Sequence, residues 1–142
     1  MLTGQFGIEI ELTGITKDRA AKTLRSVLGG EIENTYDSYD TRKVYAEDGR
    51  TWKIMNDSSI RKENQSGYTD NRAYSVEMVS PILTEKDIDT VQVIARALRA
   101  SGGKTNSSCG IHIHLNGGDH NVQSIKNFIN IIASKNDLLY KA

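Results

Sequence analysis

Strict alternation of apolar and polar residues in two segments far apart in the chain constrains the fold more than any other feature. In Gln5–Leu12, Ile8, Ile10 and Leu12 fall on one side, and Glu9 and Glu11 on the other. In Gly110–Asn116, Ile111, Ile113 and Leu115 alternate with His112, His114 and Asn116. A period of two is that of a β-strand with one buried face. Both segments are therefore expected to turn their aliphatic residues to a core and their acids or imidazoles away from it.

The rest of the chain supplies the partners such strands need. Ile15–Leu28 has Ala20, Ala21, Leu24, Val27 and Leu28 at helical spacing, and Gly29-Gly30 ends it. Strands are expected near Ile32–Tyr36, Lys43–Ala46 and Thr51–Asn56, the last two joined through the turn signal Glu47-Asp48-Gly49-Arg50. Arg61–Asn71 reads as a polar, mobile loop. Ala73–Val79 reads as a strand that Ser80-Pro81 closes, since proline cannot donate to a ladder. Thr84-Glu85-Lys86-Asp87 approximates a capping box ahead of a helix through Ile88, Val91, Ile94, Ala95 and Leu98 to Gly102-Gly103. A last helix begins at about Asn121, with Val122, Ile125, Ile129 and Ile132 on one stripe. Strands outnumber helices and include a hairpin, so the expected class is α+β with a mainly antiparallel sheet, in one domain spanning 1–142.

Composition narrows the function. The chain has 142 residues, 37% of them hydrophobic and 25% charged, and Lys+Arg of 18 balances Asp+Glu of 18. That balance shows no basic excess of the kind nucleic-acid binders carry, and no polybasic membrane anchor. No apolar stretch is long enough to span a bilayer, and the first residues lack a signal-peptide layout. A lone cysteine, Cys109, forms no internal disulfide. Neither a nucleic-acid nor a membrane partner is expected, and the expected compartment is the cytoplasm.

Glu9 and Glu11 leave the same face of a strand about 7 Å apart. Two carboxylates so placed are either solvated or hold a divalent cation. His112 and His114 repeat the geometry and can bind a metal or grip phosphate oxygens; the alternative is two surface histidines. Glu77 lies on the strand Ala73–Val79 and could be a ligand or a salt-bridge partner. Asp57-Ser58-Ser59, at a strand end, suits metal or substrate contacts as well as an ordinary turn. Carboxylate-rich sites of this kind favour magnesium or manganese.

Four segments in order, Phe6-Gly7-Ile8-Glu9-Ile10-Glu11-Leu12, Trp52 with Asp57-Ser58-Ser59, Glu77-Met78-Val79-Ser80-Pro81 and Cys109-Gly110-Ile111-His112-Ile113-His114, resemble the amidoligase family. That family belongs to the glutamine synthetase and glutamate–cysteine ligase superfamily of carboxylate–amine ligases. The resemblance implies a glutamine synthetase-like catalytic domain: a curved, mainly antiparallel sheet with helices on one face and a concave face that holds ATP and Mg2+ or Mn2+. It implies metal or catalytic roles for Glu9, Glu11 and Glu77. His112 is placed near phosphate or metal and His114 near metal or nucleotide. Asp57 and Ser59 line the substrate region, and Cys109 and Gly110 are shape requirements. Family members continue past the H-x-H strand to further basic residues, whereas this chain stops at Asp137-Leu138-Leu139-Tyr140-Lys141-Ala142. The resemblance therefore implies an incomplete domain: a fragment, a site finished by another chain, or a protein without activity.

The implied reaction joins a carboxylate to an amine through an acyl phosphate, with a small-molecule or peptide acid and an amine donor as substrates and peptide modification as its setting. The loop Arg61–Asn71 could cover such a site and exclude water. Two other readings follow from the same residues. One is a metal-dependent hydrolase built on His112, His114 and the glutamates, with His120 the remaining histidine. The other is a truncated, non-catalytic binding module. An early stop would leave Ile125, Phe128, Ile129, Ile132, Leu138 and Leu139 uncovered, so a homo-oligomer is expected.

Overall fold

The computed structural model describes residues 4–118 and 120–141, with side chains up to Leu138, so Leu139 lies outside the described side chains. The strands are β1 (Phe6–Leu12), β2 (Glu31–Asn34), β3 (Arg42–Tyr45), β4 (Thr51–Met55), β5 (Glu63–Asn64), β6 (Gly67–Tyr68), β7 (Val76–Val79) and β8 (Ile111–Leu115). The α-helices are α1 (Lys17–Leu28), α2 (Ile88–Ala100) and α3 (Val122–Lys141). Six strands form one sheet in the order β2-β3-β4-β7-β1-β8, and every pairing in it is antiparallel. The α+β class and the antiparallel sheet expected from the order of elements are what the chain adopts.

The alternating strands bury one face under two helices. Leu12, Val44, Trp52, Ile54, Val76 and Met78 meet Ala20, Ala21 and Leu24 of α1 and Ile94 and Leu98 of α2 in one core cluster. α1 crosses β2, β3 and β4, and α2 packs beside α1. Removing each large aliphatic side chain from water stabilises the fold by about 1.5–3 kcal/mol. Thr16, whose side chain accepts from Arg19 N–H, caps α1 so that it starts at Lys17 rather than at Ile15, and Ile15 drops into the core ahead of the helix. Gly30, at φ 76°, follows the helix where a Cβ would stand 1.8 Å from the Tyr45 carbonyl oxygen, so only glycine lets the chain turn into β2.

Three expectations change. Ala73 does not belong to a strand: Arg72–Tyr74 is a single 3-10 turn capped by the Asn71 side chain, and β7 begins only at Val76. Arg61–Asn71 is not an open loop. It holds the short hairpin β5–β6, and Thr13 Oγ1 both donates to the Glu63 carbonyl (2.9 Å) and accepts from the Glu63 N–H (2.7 Å). Gln65 Nε2 donates to the carbonyls of Gly14 and Gly102, each at 2.8 Å, so the hairpin is tied to the end of β1 and the end of α2.

The third change concerns β8. Its aliphatic residues share the core-side face with Phe6, Ile8 and Ile10, but among the described residues nothing covers them: Ile111, Ile113 and Leu115 are 64%, 62% and 69% exposed. β8 is an edge strand, and the helical layer, which lies over β2, β3 and β4, does not reach it. The stripe of α3 is uncovered as well, with Ile125, Phe128, Ile129 and Leu138 all exposed.

Candidate functional site

The face opposite the helices collects the acids, and the strand register decides which of them meet. Glu11 stands directly opposite Glu77 across β1 and β7, and Glu77 stands opposite Met55 at the end of β4. Glu9 stands opposite His112, and Gly7 opposite His114, across β1 and β8. Directly paired residues on an antiparallel ladder put their side chains on the same face. Residues from distant parts of the sequence thus face one another.

Two subclusters result. In the first, Glu11, Asp57 and Glu77 each offer an oxygen, and these oxygens all lie within 4.8 Å of one another. Glu11 is buried to 4% exposure and accepts from the Gly110 N–H at 2.7 Å. Asp57 follows β4, and its main chain is pinned by Ser75, whose Oγ accepts from Asp57 N–H at 3.1 Å. Its carboxylate accepts from the Ser59 N–H at 2.7 Å. In the second subcluster, His112 Nδ1 lies 3.2 Å and His114 Nε2 3.2 Å from Glu9 Oε2. His112 Nε2 lies 3.6 Å from Glu11 Oε1 and so links the two groups.

The electrostatics register the crowding. Burial, then the neighbouring charges of Glu9, Asp57 and Glu11, push the Glu77 carboxyl up to about 6, against a smaller opposing effect of His112. Like charges held together without a cation have this effect. A divalent ion among the three oxygens would reverse it. The donor set is all oxygen, which fits a hard cation such as Mg2+ or Mn2+.

Hollows flank the cluster. One, of about 490 Å³, is lined by Tyr39, Asp57, Ser58, Arg72 and Glu77 among others. The other, of about 430 Å³, borders Glu9, Val79, Pro81 and His114. Arg72 donates to the Ser38 carbonyl, and its own carbonyl accepts from Lys17 Nζ at 2.7 Å. Lys17 also pairs with Asp40 at 3.1 Å; although burial lowers its affinity for a proton, this partner opposes the shift.

Set against the sequence reading, the structure brings Glu9, Glu11, Glu77, His112 and His114 together on one face. Asp57, expected beside the substrate, lies among the carboxylates and also lines the larger hollow. Ser59 contributes its main-chain N–H to Asp57, and the larger hollow is lined by Ser58, Ser38 and Tyr39 rather than by Ser59. His120 does not join the other histidines: its Nδ1 lies 3.2 Å from Ser124 Oγ at the start of α3. Arg72, Tyr39 and Lys17 were not singled out in the sequence. A lysine on the apolar face of α1 was the one available signal.

The sequence profile of a family described as "Putative amidoligase enzyme" matches residues 3–142. The chain belongs to the amidoligase family. As an amidoligase it is an enzyme of ligase type, and the ordered segments that carried the resemblance all lie inside the match. No curated protein and no solved structure matches this amidoligase significantly. Among the described residues of the amidoligase, no helix is long and apolar enough to cross a membrane.

Proposed function

We propose that this amidoligase is an ATP-dependent carboxylate–amine ligase that activates its acid substrate as an acyl phosphate. The observation that carries this reading is the convergence of Glu11, Asp57 and Glu77 oxygens within 4.8 Å of one another on an open sheet face. Three carboxylates at that separation suit a divalent cation, and Glu9 with His112 and His114 forms the adjacent rim. Mg2+ or Mn2+ held there would neutralise charge on the nucleotide phosphates, the main requirement of phosphoryl transfer.

The protein's own residues do the positioning. Gly110 N–H and the β1–β7 pairing hold Glu11; Ser75 and the Ser59 N–H hold Asp57. His112, between Glu9 and Glu11, orients both carboxylates and can donate to a phosphate oxygen. The hollow beside Asp57 and Glu77, which Arg72 also lines, would receive the acid. An amine then displaces phosphate to leave the amide. A peptide or small-molecule acid suits an open face of this kind, and self-association through the uncovered side of β8 and α3 belongs to the same proposal.

Glu9→Gln is expected to lower metal-dependent ATP turnover by at least a hundredfold with an unchanged circular dichroism spectrum. Turnover at the wild-type rate would remove Glu9 from the site. The hydrolase reading has less support, since His120 lies away from His112 and His114 and the three-carboxylate group includes no imidazole.

A further inference from the structure

The register that gathers the acids places two lysines in the same row. Reading straight across the sheet, Lys43 faces Lys53, Lys53 faces Val79, Val79 faces Glu9 and Glu9 faces His112. All five side chains therefore leave the face opposite the helices. Along that face the charge alternates in blocks: carboxylates and imidazoles on β8, β1 and β7, ammonium groups on β4 and β3, and the carboxylates of Glu31 and Glu33 on β2 beyond them.

The lysine pair is unusual on physical grounds. Like charges directly opposite on an antiparallel ladder oppose the pairing of their strands. Such a pair is normally relieved by a carboxylate, and one stands close by: Glu33 is the partner of Lys43 across β2 and β3. Its carboxylate instead accepts a short hydrogen bond from the Tyr45 hydroxyl on the same face. None of the ion pairs among the described residues involves Lys43 or Lys53. Lys53 is exposed and Lys43 half-buried, so both ammonium groups are within reach of a ligand on the face.

The spacing suits a chain of phosphates. Two strand separations, roughly 10 Å, lie between the backbones of Lys53 and Glu9, and a lysine stem can lean into that gap. Val79 fills the middle of the row with a short apolar side chain, which leaves a trough between the basic and acidic halves. A cation–polyphosphate complex has the matching polarity, with its metal end toward Glu9, Glu11 and Glu77 and its anionic tail toward the lysines. We infer that Lys43 and Lys53 form a polyphosphate-binding subsite that holds the nucleotide's phosphate chain beside the carboxylates. This inference rests on the nucleotide-dependent reading above, and it gives the phosphate-binding role to β3 and β4, early in the chain.

The test compares Lys43→Gln/Lys53→Gln with wild type and with a control, Lys22→Gln/Lys126→Gln, which removes the same charge from exposed positions on α1 and α3. Calorimetry reads the affinity for tripolyphosphate and for ATP, each with excess Mg2+, and electron paramagnetic resonance reads Mn2+ binding alone. The double variant should bind both phosphate ligands at least tenfold more weakly and Mn2+ as wild type does, with a Tm no lower than wild type. The control should stay within twofold for every ligand. Unchanged phosphate affinity in the double variant, an equal loss in the control, or no tripolyphosphate binding by wild type would each overturn the subsite. Lysine-dependent tripolyphosphate binding by a wild-type protein that binds no Mn2+ would instead defeat the metal reading and leave the subsite standing.

Discussion

At the scale of single residues, Glu77 carries the most information. Its carboxyl is held near 6, above its ordinary value of 4.5, by burial first and by Glu9, Asp57 and Glu11 next. Between these values the folded chain binds more protons than the unfolded chain, so Glu77's contribution to stability falls as pH rises through that window. A cation competes with the same proton. Mn2+ affinity should therefore weaken as pH falls below about 6, and Glu77→Gln should flatten the pH dependence of stability there while weakening Mn2+ binding. A pH series of thermal melts and Mn2+ titrations reads both; wild-type affinity in the Gln variant would contradict the role. Lys17 acts at a distance. Its side chain is 1% exposed and its ammonium holds the Arg72 carbonyl and Asp40, so Lys17→Met should cost about 1–3 kcal/mol in urea unfolding, because buried polar groups lose their partner.

At the scale of elements, the joints between strands and helices decide where the site sits. Asp87 accepts from Thr84 N–H at 2.8 Å and Thr84 Oγ1 at 3.1 Å, and pairs with Arg50 of the β3–β4 turn at 2.8 Å. The Arg50 hydrogen bond is the main reason its carboxyl falls to about 2. This contribution is present above the ordinary carboxylate range and is lost as pH drops toward 2. Asp87→Ala should cost about 0.5–2 kcal/mol at neutral pH, as the loss of a helix cap does, and less below pH 3; an equal cost at both pH values would contradict the pairing. The hairpin β5–β6 should exchange its amides slowly in wild type and faster in Gln65→Ala, which removes both 2.8 Å anchors.

These joints mark the limit of what the sequence makes legible. Alternation in β1 shows which residues share a face, because that strand is covered on one side only. In β8 the same alternation misleads: it assigns Ile111, Ile113 and Leu115 to a side but cannot say whether anything lies over them. Glu9, Glu11, Glu77, His112 and His114 could be seen as candidates from period and residue type. The grouping of Asp57 with Glu11 and Glu77 could not, since it depends on the β1–β7–β4 register and on where the chain leaves β4. The β5–β6 hairpin was hidden because its ladder is two pairs long and its anchors, Thr13 and Gln65, are remote in sequence or point away from it.

At the scale of the whole molecule, one side of the sheet is a finished core and the other a divided polar face, while β8 and α3 present uncovered aliphatic surface. Exposed apolar area of this extent favours association. The chain should run as a dimer or larger species by light scattering, and Ile113→Glu/Leu115→Glu should shift it toward monomer; a wild-type monomer at high concentration would contradict this. The most direct test of the central claim is anomalous diffraction from crystals soaked with Mn2+ and a non-hydrolysable ATP analogue. The account predicts a manganese peak at bonding distance from oxygens of Glu11, Asp57 and Glu77, with the phosphates over the same face. A peak elsewhere, or nucleotide bound away from these carboxylates, would contradict it.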